Sequence, residues 1–276
     1  MNKVTIGFIG AGNMGRSLIE GLLQSPSAPQ EIFVCDHHPD RLQDLIATQS
    51  ITLLNAPKEV AHQSDVVVLA VKPQSMKEVL QQIQGFEVSS QPLLMSIAAG
   101  ITIAQIVQFL HVSESYPIVR VMPNTPAIIK QGVSGLFAQK NLPLSYRSLA
   151  ESIMLAVGKT VWLSDEALMD VVTALSGSGP AYFFYFIEKL IKGAIELGLV
   201  DSTARELTLQ TGIGALQMAL HSEKSLSELR QQVTSKGGTT EAGIAILDQN
   251  NLETILEKAL SAATRRAKEL SQKLFN

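Results

Sequence analysis

Residues 233–243, Val-Thr-Ser-Lys-Gly-Gly-Thr-Thr-Glu-Ala-Gly, set the hydroxyls of Ser235, Thr239 and Thr240 around a glycine pair. The glycines let the backbone curl so that successive N–H groups point inward. Ile244, Ile246 and Leu247 follow at helical spacing, so the segment reads as a tight turn feeding a helix. The first N–H groups of a helix have no intrahelical acceptor, and the dipole adds positive character there. Such a loop favours an anion. It lies more than two hundred residues after a glycine fingerprint of nucleotide type, so its anion is not the same phosphate and reads as a substrate carboxylate.

That fingerprint is Gly7-Phe8-Ile9-Gly10-Ala11-Gly12-Asn13-Met14-Gly15. A strand before it, a helix after it and a second strand ending at Asp36 are the context of a dinucleotide-binding turn. Gly10 permits the turn, Gly12 lets a pyrophosphate approach the backbone between Asn13 and Met14, and Gly15 permits close packing of helix on strand. Asp36 stands where an acid binds the ribose hydroxyls of NAD. Yet His37, His38 and Arg41 follow and suit a 2′-phosphate, and Asp36 also fits as the cap of a helix at 39–48. NADPH and NADH both stay open. Asn55 is a further candidate for the adenine ribose.

Lys72, in Val71-Lys72-Pro73, follows a third strand and faces the crevice at the carboxyl ends of a parallel sheet, if it is not simply a surface residue in a turn. Met122-Pro123-Asn124-Thr125-Pro126 presents Asn124 and Thr125 rigidly between two prolines. This loop suits the nicotinamide end of a cofactor; a stiff crossover within the sheet is the plain alternative.

The elements that carry these residues change character along the chain. Strand-like runs at Val4–Ile9, Glu31–Cys35, Asp65–Val71, Leu93–Ala98, Ser115–Val121 and Ser134–Ala138 alternate with helical patterns at Ser17–Leu23, Pro39–Thr48 and Gln74–Ile83. Continuous apolar strands between amphipathic helices imply an α/β fold with a parallel sheet buried on both faces. From about Asp165 only helical patterns occur: Glu166–Leu175, Ala181–Leu197, Ser202–Leu220, Leu226–Gln232, Thr239–Gln249 and Leu252–Leu274. The boundary is placed near Val161–Asp165, giving a dinucleotide-binding domain at 1–163 and a helical domain at 164–276. The Ala181–Leu197 segment is apolar nearly all round, so its own domain or a partner subunit must enclose it.

The chain has 276 residues, 46% of them hydrophobic, with 22 basic and 25 acidic side chains and a net charge of −3. No basic block points to nucleic acid, and no apolar run is long enough to span a bilayer or act as a signal peptide. The single cysteine, Cys35, rules out an internal disulfide and a cysteine-rich metal site, and the five histidines lack ligand spacing. A cytoplasmic protein acting on a small molecule is expected.

Five stretches, GFIGAGNMG (7–15), VKPQ (71–74), VRVMPNTP (119–126), TALSGSGPAYFF (173–184) and VTSKGGTTEAG (233–243), together resemble the pyrroline-5-carboxylate reductase family. The resemblance implies a Rossmann domain joined to an all-helical C-terminal dimerisation domain that interlocks with a second subunit, as a homodimer or a decamer of five dimers. It implies reduction of the cyclic imine 1-pyrroline-5-carboxylate to L-proline by NADPH or NADH. It assigns the substrate carboxylate to Ser235 and the N–H groups around Gly238 and Thr239, and the ring nitrogen to Thr240 as catalytic residue. Position 236, a proline in the family, is Lys here; lost stiffness and added charge are expected to offset each other. Two rival readings are a β-hydroxyacid-type dehydrogenase, which needs a catalytic lysine such as Lys189 or Lys192, and a non-catalytic dinucleotide sensor.

Overall fold

The computed structural model describes residues 4–26, 28–47, 51–85 and 91–273. Thr48 and Leu274, which close two of the expected helices, lie outside the described residues. Eight strands form one sheet: β1 (Thr5–Ile9), β2 (Glu31–Cys35), β3 (Ile51–Leu53), β4 (Val66–Leu69), β5 (Leu93–Ser96), β6 (Ile118–Met122), β7 (Gly132–Ala138) and β8 (Gly158–Trp162). Their spatial order is β3-β2-β1-β4-β5-β6-β7-β8. The first six strands are parallel throughout, and the order reverses between β1 and β4. A crevice opens at such a reversal, at the carboxyl ends of the two strands.

The expectation of a purely parallel sheet needs one correction: β7 runs antiparallel to β6. Only residues 123–131, with a short 3₁₀ segment at Thr125–Ile129, separate the two strands, too few for a parallel crossover. The next connection contains α6 (Leu144–Leu155), and β8 returns parallel to β7.

Helices α1 (Asn13–Leu23), α2 (Gln43–Ile46), α3 (Pro57–Gln63), α4 (Met76–Gln82), α5 (Ile103–Leu110) and α6 flank the sheet. One face of the sheet packs Ile6, Phe8, Val68 and Met95 with Leu18 and Leu22 of α1. The other packs Val67, Leu69 and Leu94 with Leu80 of α4 and Ile106 of α5. Burial on both faces explains why β4 is a bare Val-Val-Val-Leu run. The segment expected as a helix at 39–48 is a 3₁₀ turn, Pro39–Leu42, running into the single turn of α2. β3, α3, α5, α6 and β8 were not anticipated from the sequence; all are short, or polar enough to hide their period.

Beyond β8 the chain is helical: α7 (Leu168–Val172), a π-helical turn at Thr173–Gly177, α8 (Gly179–Glu196), α9 (Asp201–His221), α10 (Leu226–Gln232), α11 (Thr239–Gln249) and α12 (Leu252–Lys273). By contact the chain divides into two compact units, Met1–Ser178 with Ala263–Asn276, and Gly179–Ala262. The split by contact thus falls after Ser178, later than the expected 163/164 boundary, and returns the end of α12 to the first unit. There the Ser271 hydroxyl donates to the Gly100 carbonyl oxygen at 2.5 Å.

The second unit has almost no core. Of its residues only Gly179 and Ala204 are fully buried. Phe183, Phe184, Tyr185 and Phe186 of α8 are exposed, Phe184 at 68%.

Candidate active site

In the first unit the fingerprint forms the turn between β1 and α1. Gly10 has φ +92°, and its N–H donates to the Cys35 carbonyl oxygen at 2.8 Å, tying the turn to β2. A Cβ at Gly10 would lie 2.9 Å from the Ala70 backbone, so conformation and space both demand glycine. A Cβ at Gly12 would meet nothing within 4 Å, because that glycine faces open space. One at Gly15 would press the Gly10 carbonyl oxygen at 2.8 Å. Gly12 is the N-cap of α1, with no side-chain cap and no acid in the first turn. The helix therefore presents bare N–H groups toward the opening, which is the donor set for a phosphate.

A cleft of about 390 Å³ follows from the turn along the carboxyl ends of β1, β2 and β4. Of the residues expected to bind a cofactor, Gly10, Gly12, Asp36, His37, Arg41, Asn55 and Lys72 line it. Gly12, Asn13 and Arg41 also line an adjoining hollow with Arg16. Met14 packs its side chain on the core, so only its backbone is free to serve a ligand. Cys35, Ser75, Glu78 and Gln82 also line the cleft, none of them expected there from the sequence. Burial raises the Cys35 thiol pKa, and the nearby Asp36 and Glu59 carboxylates raise it further.

Asp36 does something that neither expectation for it described. Its Oδ2 accepts from the Ala11 N–H and its Oδ1 from the His38 N–H, both at 2.6 Å. The carboxylate thus staples the glycine turn to the loop after β2. The helix-cap alternative fails, because the 3₁₀ turn at Pro39–Leu42 starts from His38 with no side-chain cap.

Arg16 secures the same loop from α1. It donates from Nε to Glu20 at 2.7 Å, from Nη2 to Asp44 at 2.5 Å and from Nη1 to the Arg41 carbonyl oxygen. The guanidinium holds the Asp44 carboxyl below the usual carboxylate range. Arg41 itself makes no ion pair among the described residues, so its guanidinium is free for an anion.

Met122, Pro123 and Asn124 lie outside both hollows. Asn124 is buried and accepts from the Val133 N–H at 2.9 Å while donating to the Ser176 carbonyl oxygen at 3.2 Å. Its amide is thus engaged in holding β7 and the π-helical turn. A Cβ at Gly177 would strike the Met122 methyl at 2.5 Å, so that glycine is a packing position. Arg120 and Glu166 form a largely buried ion pair at 3.1 Å, and the same Glu166 oxygen accepts from the Ile103 N–H at the start of α5. Nothing local in the sequence marks this pair, whose members lie 46 residues apart.

In the second unit the loop at 233–243 is a turn into α11, as its glycines required. Gly238 N–H donates to the Ser235 carbonyl oxygen at 3.0 Å, and Gly237 has φ +71°. Gly237 N–H donates to Glu241 Oε2 at 2.6 Å. Gly238 was expected to offer its N–H to an anion; here the turn consumes it. The free donors are one step on, the N–H groups of Thr239 and Thr240 at the start of α11, whose N-cap Gly238 supplies no side chain. Ser235 is exposed and Thr240 half-buried.

The lysines that a hydroxyacid-type chemistry would use are committed along α8. Lys189 pairs with Glu188 at 2.6 Å and lies 4.6 Å from the Tyr185 ring centroid, which keep it firmly charged. Lys192 is 3.9 Å from Glu196. No helix of the described residues is long and apolar enough to cross a membrane, and they contain no cluster able to hold a metal ion.

Comparison with known proteins agrees with this arrangement. Residues 166–270 match the family model described as pyrroline-5-carboxylate reductase dimerisation, and residues 5–100 match one described as NADP oxidoreductase, coenzyme F420-dependent. The pyrroline-5-carboxylate reductase of Pseudomonas aeruginosa is 43% identical over 99% of this chain and 99% of its own. A pyrroline-5-carboxylate reductase structure from Coxiella burnetii superposes with TM-score 0.91 at 42% identity, covering 98% of this chain and 99% of that one. The Plasmodium falciparum pyrroline carboxylate reductase, solved with NADP bound, gives 0.85 at 29%, covering 98% and 99%. A 3-hydroxyisobutyrate dehydrogenase of Mycobacterium tuberculosis shares the fold alone, at 12% identity and TM-score 0.52. With a glycine turn that opens a bare helix end to a cleft, a hydroxyl-rich turn into α11, and near-full-length identity of this level, the chain belongs to the pyrroline-5-carboxylate reductase family.

Proposed function

We propose that this protein reduces 1-pyrroline-5-carboxylate to L-proline with NADPH or NADH, the last step of proline synthesis. The observation that carries the reading is the full-length match at 43% identity, joined to a cleft whose residues fit a dinucleotide. The fit rests on Gly12, where a pyrophosphate can reach the backbone, and on the uncapped start of α1. Gly10, Gly12, Asn13 and the Met14 backbone would hold the phosphates, with Gly15 keeping α1 close. Asn55, His37, Arg41 and Lys72 would take the adenosine end and the cleft wall, and Asp36 would fix the turn.

The dinucleotide, when bound, supplies a hydride to the imine carbon. The chain's own part is orientation and one proton. Ser235 and the N–H groups of Thr239 and Thr240 would hold the single carboxylate, fixing which carbon is presented. The Thr240 hydroxyl would hydrogen-bond the ring nitrogen, which becomes the secondary amine of proline as it gains its proton. That proton would come from solvent through the hydroxyl, so the imine gains one hydride and one proton in all and no strongly basic side chain is required. Met122, Pro123 and Asn124, with the π-helical turn they lock, would wall the nicotinamide end.

The helical domain would act as a homodimer, and five dimers could close a ring. A unit with two small buried residues and a row of exposed aromatics gains its core from another copy. A cytoplasmic location accompanies the reading. The test is consumption of NADPH or NADH on adding pyrroline-5-carboxylate, with 3-hydroxyisobutyrate as control. No loss of reduced nucleotide with the imine sinks the proposal, and turnover of the hydroxy acid with NAD or NADP would favour the dehydrogenase reading.

A further inference from the structure

We propose that Glu241 is a positioning residue for the substrate loop, restraining by a side-chain hydrogen bond what proline at 236 would restrain by its ring. The inference rests on the reading of 235–240 as the substrate-carboxylate site. The Gly238 N–H to Ser235 carbonyl bond closes a four-residue turn, and Gly237, at its third position, has φ +71°. That is the geometry in which the third residue is glycine and proline is favoured at the second. The second residue here is Lys236, which is exposed and makes no ion pair among the described residues.

A turn of this kind loosens by rotating its central peptide, the one between its second and third residues. The N–H of that peptide belongs to Gly237, and it is the group that Glu241 Oε2 accepts from at 2.6 Å. Glu241 thus fixes the peptide plane that Lys236 leaves unrestrained. It does so from the third position of α11, where an acid is also favoured by the helix dipole. With Gly237 held and Gly238 bonded within the turn, the N–H groups of Thr239 and Thr240 keep a fixed direction for a ligand. The acid brings negative charge near an anion site, and Lys236 in the same turn carries a positive charge to offset it.

The test compares KM and kcat for pyrroline-5-carboxylate at saturating NADPH in the full-length protein. Glu241→Ala is expected to raise KM about tenfold, the equivalent of ~1.4 kcal/mol, and to change kcat far less. Glu241→Gln, which keeps a carbonyl acceptor, should recover most of the affinity. The decisive variant is Glu241→Ala with Lys236→Pro, in which the ring restores the lost restraint and KM returns toward the parent value. Amide exchange at Gly237 should quicken in Glu241→Ala and slow again in the double variant, a readout that needs no activity. A general structural role would instead lower Tm and kcat together and would not respond to proline. The positioning role falls if Ser235→Ala raises KM while Glu241→Ala does not, or if proline fails to rescue. Both readings fall if neither Ser235→Ala nor Glu241→Ala alters KM.

Discussion

At the residue scale, most of the chemistry rests on groups whose partners decide their use. Thr240 is half-buried, and its N–H opens a helix. Thr240→Ala should lower kcat/KM by about 10²-fold, typical of losing a positioned proton donor, without altering nucleotide affinity. Unchanged kcat/KM would remove Thr240 from the mechanism. Arg41 has no acid partner among the described residues, whereas Asp36 has both carboxylate oxygens bonded to backbone. A 2′-phosphate bound in this cleft would therefore meet the Arg41 cation and a carboxylate already engaged with backbone. Arg41→Ala should weaken NADP binding, measured by titration calorimetry, by about tenfold and NAD binding much less, as expected for one charged contact of ~1.4 kcal/mol. Equal losses for both nucleotides would show that Arg41 does not read the 2′ position. Cys35 lines the same cleft with its thiol pKa raised by burial, so it stays protonated and reacts slowly near neutral pH. Alkylation should be slower than that of a free thiol and slower still with NADP bound; labelling indifferent to nucleotide would displace the cofactor from this cleft.

At the element scale, the glycine turn and its tethers carry the site. Gly10→Ala forces a side chain into φ +92° and to 2.9 Å from the Ala70 backbone. A loss of ~1–3 kcal/mol of stability and of measurable nucleotide binding is expected, read by thermal denaturation with and without NADP. The clasp between α1 and α2 gives a pH dependence. Asp44 is held below the usual carboxylate range by the Arg16 hydrogen bond, so its contribution is present above the ordinary aspartate pKa and fades as pH falls through the lowered folded value. Nucleotide affinity should therefore weaken on acidification, and Asp44→Asn should remove that part of the slope. A slope identical in the variant would detach the clasp from the cofactor loop. Much of this was open to sequence reading: the turn, its glycines and helices α10 and α11 follow from local spacing, and their bounds match the expected ones. The partners of Asp36, Gly238 and Asn124 were not legible, since each bond joins segments that only the fold, or the turn itself, brings together.

At the scale of the whole molecule, the two units differ in how they can be stable. The first has a sheet covered on both faces. The second exposes Phe183, Phe184, Leu207 and Ile213 and buries little. A helical unit of this kind is expected to be stable only when a second copy covers it. Light scattering should show a dimer or a multiple of it, and Phe184→Glu should shift the mass toward monomer and lower Tm. A monodisperse monomer of undiminished stability in the parent protein would contradict this.

The amino-acid sequence by itself determined the class of protein. Glycine turns, apolar period and helix starts are local properties, and they specify a dinucleotide fold, a helical second half and a hydroxyl-rich glycine turn into a helix, in chain order. The tertiary structure alone decided the rest. It reversed β7, because the link from β6 is too short for a crossover. It turned Asp36 into a staple and joined Arg120 to Glu166 across 46 residues. It spent the Gly238 N–H within the turn, leaving Thr239 and Thr240 as donors. Each of these depends on which distant or folded-back group occupies the neighbouring space, and a hydrogen-bonding group takes the nearest good partner that the fold supplies.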